Sequence, residues 1–153
     1  MVSRGSIIVV LLGLSACTAQ GARFAPSDIA AANNAGTIYV YRPLGTIGTR
    51  GESPFVSIGG KSYGTMKAGS FVAASVPVGE VKVTVQQSLF MLMPTIPRSV
   101  MVTVVPGSVS YVRVNQTIDS ADASHGLTVM QSVQIEEVAP EVGQAELGQT
   151  RQN

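Results

Sequence analysis

Two runs of alternating valine constrain the fold of this chain more than any other feature. Over residues 80–86, Val81, Val83 and Val85 face one way while Lys82 and Thr84 face the other, and Val100, Val102 and Val104 repeat the pattern before Pro106-Gly107. A strict period of two is the mark of a strand, whose successive side chains point to opposite faces. Branching at Cβ suits these residues to a pleated, half-buried surface. The rest of the sequence between 37 and 138 reads the same way, with strands over 37–42, 55–58, 61–66, 70–76, 108–115 and 127–137. Gly59-Gly60 is a two-residue connection able to take the positive φ angles of a hairpin, and Pro43 after Arg42 ends the first strand. The expectation is an all-β chain: an antiparallel β-sandwich of about seven or eight strands, with no long amphipathic helix competing.

The N-terminus has a different logic. Arg4 and the α-amino group form a positive start, Ile7 to Leu14 an apolar stretch, and Ser15-Ala16 the small residues a signal peptidase requires. The apolar run meets Thr18 and Gln20 well before the roughly 20 residues a membrane-spanning helix needs. Leu14-Ser15-Ala16-Cys17 resembles the lipobox of bacterial lipoproteins. That resemblance implies removal of residues 1–16, a diacylglyceryl thioether on Cys17 and an acyl chain, such as palmitate, on its freed amine. At about 0.8 kcal/mol per buried CH₂, several chains hold a protein to a bilayer far more firmly than one. Thr18, rather than an aspartate, favours the outer membrane by resemblance to the sorting rule of enteric bacteria. A lone cysteine in an exported protein is otherwise a free thiol or half of an intermolecular disulfide.

Removing Arg4 with the leader leaves nine basic residues against nine acidic ones. A nearly neutral chain with no basic stripe is not built for nucleic acid. Only 12% of the residues are charged, about half the usual share. The expected organisation is a signal peptide over 1–16, a lipid anchor and tether over 17–36, one sandwich domain over 37–138 and a flexible tail over 139–153. The tether is rich in Ala, Asn and Gly, with a helical turn begun by Ser27 and Asp28. The tail carries few large apolar residues and two glycines that interrupt a helix.

Chemistry-bearing motifs are sparse. Gly60-Lys61-Ser62 is similar to the end of a phosphate-binding loop, but Phe55 stands where the first glycine belongs and Tyr63-Gly64 starts no helix. His125 is the sole histidine, and the acids cluster only as Asp119/Asp122 and Glu136-Glu137. No metal site, cofactor site or nucleophile-base pair is expected from that inventory. Two candidate binding surfaces remain. Tyr39 and Tyr41 lie opposite Ile38 and Val40, while Tyr111 and Arg113 form an aromatic-basic pair; exposed, they would stack on sugars or peptides or anchor an interface. The alternative is that these rings cover a sheet face with their hydroxyls wet. The second surface is residues 88–98, where Leu89, Phe90, Met91, Leu92 and Met93 either continue the preceding strand into the core or protrude. If the valine alternation continues, Phe90 and Leu92 form the exposed part and contact a partner or the lipid surface.

One family resemblance extends over most of the domain. Ile38-Tyr39-Val40-Tyr41-Arg42-Pro43, Val56-Ser57-Ile58-Gly59-Gly60-Lys61, Gly64, Gly69-Ser70-Phe71, Val76-Pro77-Val78-Gly79 and Gly107-Ser108-Val109-Ser110-Tyr111 resemble a family of small bacterial lipoproteins catalogued as a domain of unknown function, DUF2846. The resemblance runs from about residue 36 to 138 and implies a sandwich like carboxypeptidase regulatory domains. It carries no catalytic residues over, and the apolar run 89–93 departs from it. Together these readings lead to an expected non-enzymatic lipoprotein of the bacterial cell envelope. It would face the periplasm from the outer membrane and present its sandwich to an envelope protein or peptidoglycan. The alternatives are a secretion-system assembly lipoprotein, an inhibitor of an envelope hydrolase, or an envelope enzyme.

Overall fold

The computed structural model describes residues 19, 21–25, 34–45, 49–87, 96–122 and 128–153. In chain order the elements are β1 (Ala35–Arg42), β2 (Phe55–Ile58), β3 (Lys61–Thr65), β4 (Ser70–Pro77), β5 (Gly79–Gln86), β6 (Arg98–Val104), β7 (Val109–Asp122), β8 (Thr128–Val138), α1 (Pro140–Leu147) and β9 (Arg151–Gln152). They form two sheets, β8-β7-β1-β4-β9 and β3-β2-β5-β6. The all-β sandwich is therefore what the alternating pattern describes. It is mixed rather than wholly antiparallel, since β1 pairs parallel with β7 and β4 parallel with β9.

The core lies between the sheets and is assembled by the period-two residues. Ile38 and Val40 from β1, Val112 and Val114 from β7, and Ala74 and Val76 from β4 meet Val56 and Ile58 from β2, Val81, Val83 and Val85 from β5, and Val102 and Val104 from β6. At about 1.5–3 kcal/mol for each fully buried aliphatic side chain, this alternation fixes which face of every strand turns inward. The hairpin between β2 and β3 turns on Gly59 and Gly60, whose φ angles of 57° and 81° are the left-handed pair a tight two-residue loop needs.

The chain ends depart from expectation. Residues 139–153 do not form a flexible tail. Pro140 starts α1 where its missing N–H costs nothing, Glu141 lies in the first turn, and the helix drops Leu147 onto the outer face of the five-stranded sheet. β9 then adds to the edge of β4, with the Arg151 and Asn153 amides donating to the carbonyls of Gly69 and Phe71 at 2.9 and 3.0 Å. The expected tether also docks in part. Arg23 bridges Arg151, and the Gln152 amide donates to the Ala22 carbonyl at 2.7 Å. A short terminal strand gains its stability from such cross-chain pairing, a signal that local sequence does not carry. Ser27 and Asp28, expected to begin a helical turn, lie outside the described residues.

Candidate functional site

Tyr39, Tyr41 and Tyr111 do converge on one face, because β1 and β7 are parallel neighbours with Tyr39 opposite Tyr111 and Tyr41 opposite Arg113. Tyr39 stacks on Tyr111 with centroids 5.7 Å apart and planes 10° from parallel, and Phe24 meets Tyr39 edge-on at 5.2 Å. This face is not exposed. Tyr39, Tyr41 and Tyr111 are 3%, 0% and 4% accessible, packed with Phe71 and Leu147. Of the candidate surface Tyr39, Tyr41, Tyr111 and Arg113, the three rings therefore form a second apolar core under α1, as rings covering a sheet face, while Arg113 stays partly exposed at its margin. Strand β1 is central in its sheet and covered on both sides, so its Tyr/Ile alternation does not separate outside from inside.

Glu146 fastens the helix to this face. It accepts from the Tyr41 hydroxyl at 2.5 Å and from the Arg113 guanidinium at 2.8 Å, while Arg113 also donates to Glu136 at 2.8 Å. Burial first, and then donation to the Glu146 carboxylate, push the Tyr41 phenol well above its ordinary range. The bond to Glu136, reinforced by Glu146, holds Arg113 more firmly charged than usual despite some burial. Gly143 makes the close approach possible, since a Cβ there would lie 2.3 Å from Cγ of Tyr111. Leu147, Glu146 and Gly143 were all missed in the sequence; the one local signal for their helix is Pro140 followed by Glu141.

A second polar cluster closes one end of the sandwich. Arg42, almost wholly buried, donates to the carbonyls of Thr49 and Glu52 and, at 3.2 Å, to that of Met66. Burial lowers its pKa to about 10, with the Glu52 carboxylate opposing the shift. Glu52 in turn accepts from Gln116 at 2.8 Å and Gln87 at 3.4 Å. A buried guanidinium that satisfies several carbonyls pins the loop after β1 over the core. These groups are consumed by structure. Gly60-Lys61-Ser62 is the β2–β3 hairpin and its following strand, as the sequence reading has it.

Among the described residues, no element covers the outer face of β3-β2-β5-β6. Ser62, Ser57, Thr84 and Ser99 stand in one transverse row, each opposite the next. Phe55 and Met101, each about half exposed, flank the row together with exposed Lys82. Phe55, Ser57, Ser62, Thr84 and Gln86 line a shallow depression of about 280 Å³ on this face. A larger groove of about 490 Å³ runs between the free edges of β6 and β8, with Arg98 and Glu136 among its lining residues. No group of three His, Cys, Asp or Glu side chains able to hold a metal is found among the described residues. Cys17, Phe90, Leu92 and His125 lie outside the described residues.

The class these features define is a two-sheet β-sandwich with one face sealed by its own C-terminal helix and the other, among the described residues, open. The chain belongs to the family described as a protein of unknown function, DUF2846, whose model matches residues 32–127. Searches of the curated proteins and of the solved structures returned no significant match. The family match ends before β8, α1 and β9, so the elements that seal the aromatic face lie beyond it.

Proposed function

We propose that this chain is an exported lipoprotein, acylated on Cys17, that holds a non-catalytic β-sandwich at the periplasmic face of the outer membrane as an interaction module. The observation that carries the reading is Leu14-Ser15-Ala16-Cys17 closing the apolar run that begins at Ile7, with Arg4 before it. The mechanism is presentation rather than turnover. Anchorage confines the domain to the membrane surface, raising its effective concentration toward partners in the same layer. The open face of β3-β2-β5-β6, with its hydroxyl row, Phe55, Lys82 and Met101, is the surface offered to an envelope protein or to peptidoglycan. The buried aromatic face plays no part in this presentation.

Metabolic labelling with an alkyne fatty acid, in a bacterial host with a working lipoprotein pathway, tests the anchor. Wild type takes up label, and Cys17→Ser does not. A photo-crosslinking residue at Met101 then captures an envelope partner that the same residue at Val142, on α1, does not. Absence of label on wild type contradicts the anchor. Equal capture from both positions contradicts the assignment of the open face.

A further inference from the structure

Ala19 decides where an acylated Cys17 sits relative to the domain. Its amide donates to the Ala68 carbonyl at 3.4 Å, and the residue is buried. From there residues 21–25 follow β9, with the Arg151 guanidinium donating to the Gly21 carbonyl at 3.3 Å. Thr18 alone separates Cys17 from this docked point, and two residue steps of fully extended chain span about 7 Å. An anchor on Cys17 would thus be one residue removed from the docked Ala19, and residues 20–36 follow that point in the chain.

Resting on the anchored reading above, we infer that the end of the sandwich bearing the Ala68-Gly69 turn faces the bilayer and is a contact face for anionic phospholipid headgroups. The first support is distance, since the lipid is leashed to this end. The second is charge. Arg23, Arg50, Lys67 and Arg151 all belong to this end: Arg151 pairs with Ser70, which pairs with Arg42 at the end of β1, and Arg42 binds the loop that carries Arg50. Glu52, on the loop that carries Arg50, is turned inward onto Gln87 and Gln116, and the acids Asp119 and Asp122 stand farther out, on the stretch of β7 that runs on past the level of Arg42. Each basic side chain near an anionic surface strengthens association by roughly fivefold. The third is an apolar tip. Leu44 is 45% exposed, and its side chain lies over Gly69, beside the carbonyl to which Ala19 is bonded. A basic rim around an exposed leucine suits the interfacial layer, where the apolar tip enters the acyl boundary and the cations meet phosphate.

The test uses the acylated full-length protein, isolated from membranes and reconstituted into phosphatidylethanolamine/phosphatidylglycerol vesicles that carry headgroup spin-labelled lipid. Acylation leaves Cys17 without a free thiol, so Leu44→Cys and, separately, Val78→Cys each accept one fluorophore. Val78 is exposed at the opposite end, in the turn between β4 and β5. The Leu44 probe is expected to be quenched several-fold more than the Val78 probe. High salt, or Arg23→Glu/Lys67→Glu in the Leu44→Cys background with an unchanged melting temperature, is expected to narrow the difference, leaving the part that the leash alone imposes. Equal quenching of both probes in protein that floats with the vesicles overturns this orientation and leaves the anchor standing. Protein that stays in the aqueous fraction and takes fluorophore on Cys17 overturns the anchor and the orientation together.

Discussion

Gly143→Ala separates the packing account of α1 from a propensity account, because the two predict opposite signs. Alanine in place of a mid-helix glycine stabilises a helix by about 0.8–1.0 kcal/mol when nothing else changes. Here the added Cβ would stand 2.3 Å from Cγ and 2.4 Å from Cβ of Tyr111, where non-bonded carbons need about 3.5 Å or more. Those are the inner atoms of the tyrosine, tied to strand β7, and no flexible end is free to swing away. The helix has to lift by about 1 Å, which loosens the fully buried Leu147 and stretches the Glu146 bonds to Tyr41 and Arg113. Overpacking of this kind costs about 1–3 kcal/mol, and the seat of a buried leucine adds a further share of its roughly 1.5–3 kcal/mol. After the propensity gain is deducted, a net loss of about 1–3 kcal/mol remains. For a domain of this size the melting temperature falls by about 3–12 °C. Gly148→Ala is the internal control. Its φ of −57° is ordinary for any residue, and its new Cβ would meet Gln144 O at 3.5 Å and Ala145 O at 3.6 Å, so it should be neutral or mildly stabilising. Thermal and urea unfolding of the mature chain measure both. A Gly143→Ala protein as stable as wild type, or more so, refutes the close docking of α1 on Tyr111.

Val83→Asp places a carboxylate where no surface is accessible and is expected to abolish cooperative folding by circular dichroism. Lys82→Asp, one residue away on the open face, stays within about 0.5 kcal/mol of wild type; equal effects refute the face assignment. In an alkaline titration followed by near-ultraviolet absorbance, Tyr41 ionises well after an ordinary tyrosine, whose value is 10.0. Since its folded pKa is raised, its contribution to stability is complete below about pH 10 and is lost as pH climbs from there toward the folded value. Glu146→Ala brings the Tyr41 ionisation back toward the ordinary range, and an unshifted titration in that variant would contradict the Tyr41–Glu146 bond.

The strands were legible because their information is local. Lys82 opposite Val83, Gly59-Gly60 between two short apolar runs, and Pro43 after Arg42 each state an orientation or an end within a few residues. The role of Tyr39 and Tyr41 was not legible, because what covers them is Leu147 and Glu146, more than 100 residues away. Nothing near the tyrosines distinguishes an outer face met by water from one met by a helix. The C-terminal helix was obscured for a related reason. Gly143 is a helix breaker when read against propensity, and a requirement once Tyr111 lies beneath it. Phe24 likewise lies in a stretch whose composition is that of a tether, yet it supplies an edge-on ring to both Tyr39 and Phe71. The candidate site inherits these limits: the hydroxyl row of the open face is visible only when β3, β2, β5 and β6 are aligned in register, and single-strand patterns contain no register.

The intact mass of the protein purified from bacterial envelopes tests the anchored reading most directly. The account predicts a chain that begins at Cys17, lacks residues 1–16 and carries the added mass of a diacylglyceryl group and an amide-linked acyl chain. Fragmentation should place the added mass on the first residue. A chain that retains residues 1–16, or one that begins elsewhere with an unmodified Cys17, contradicts it.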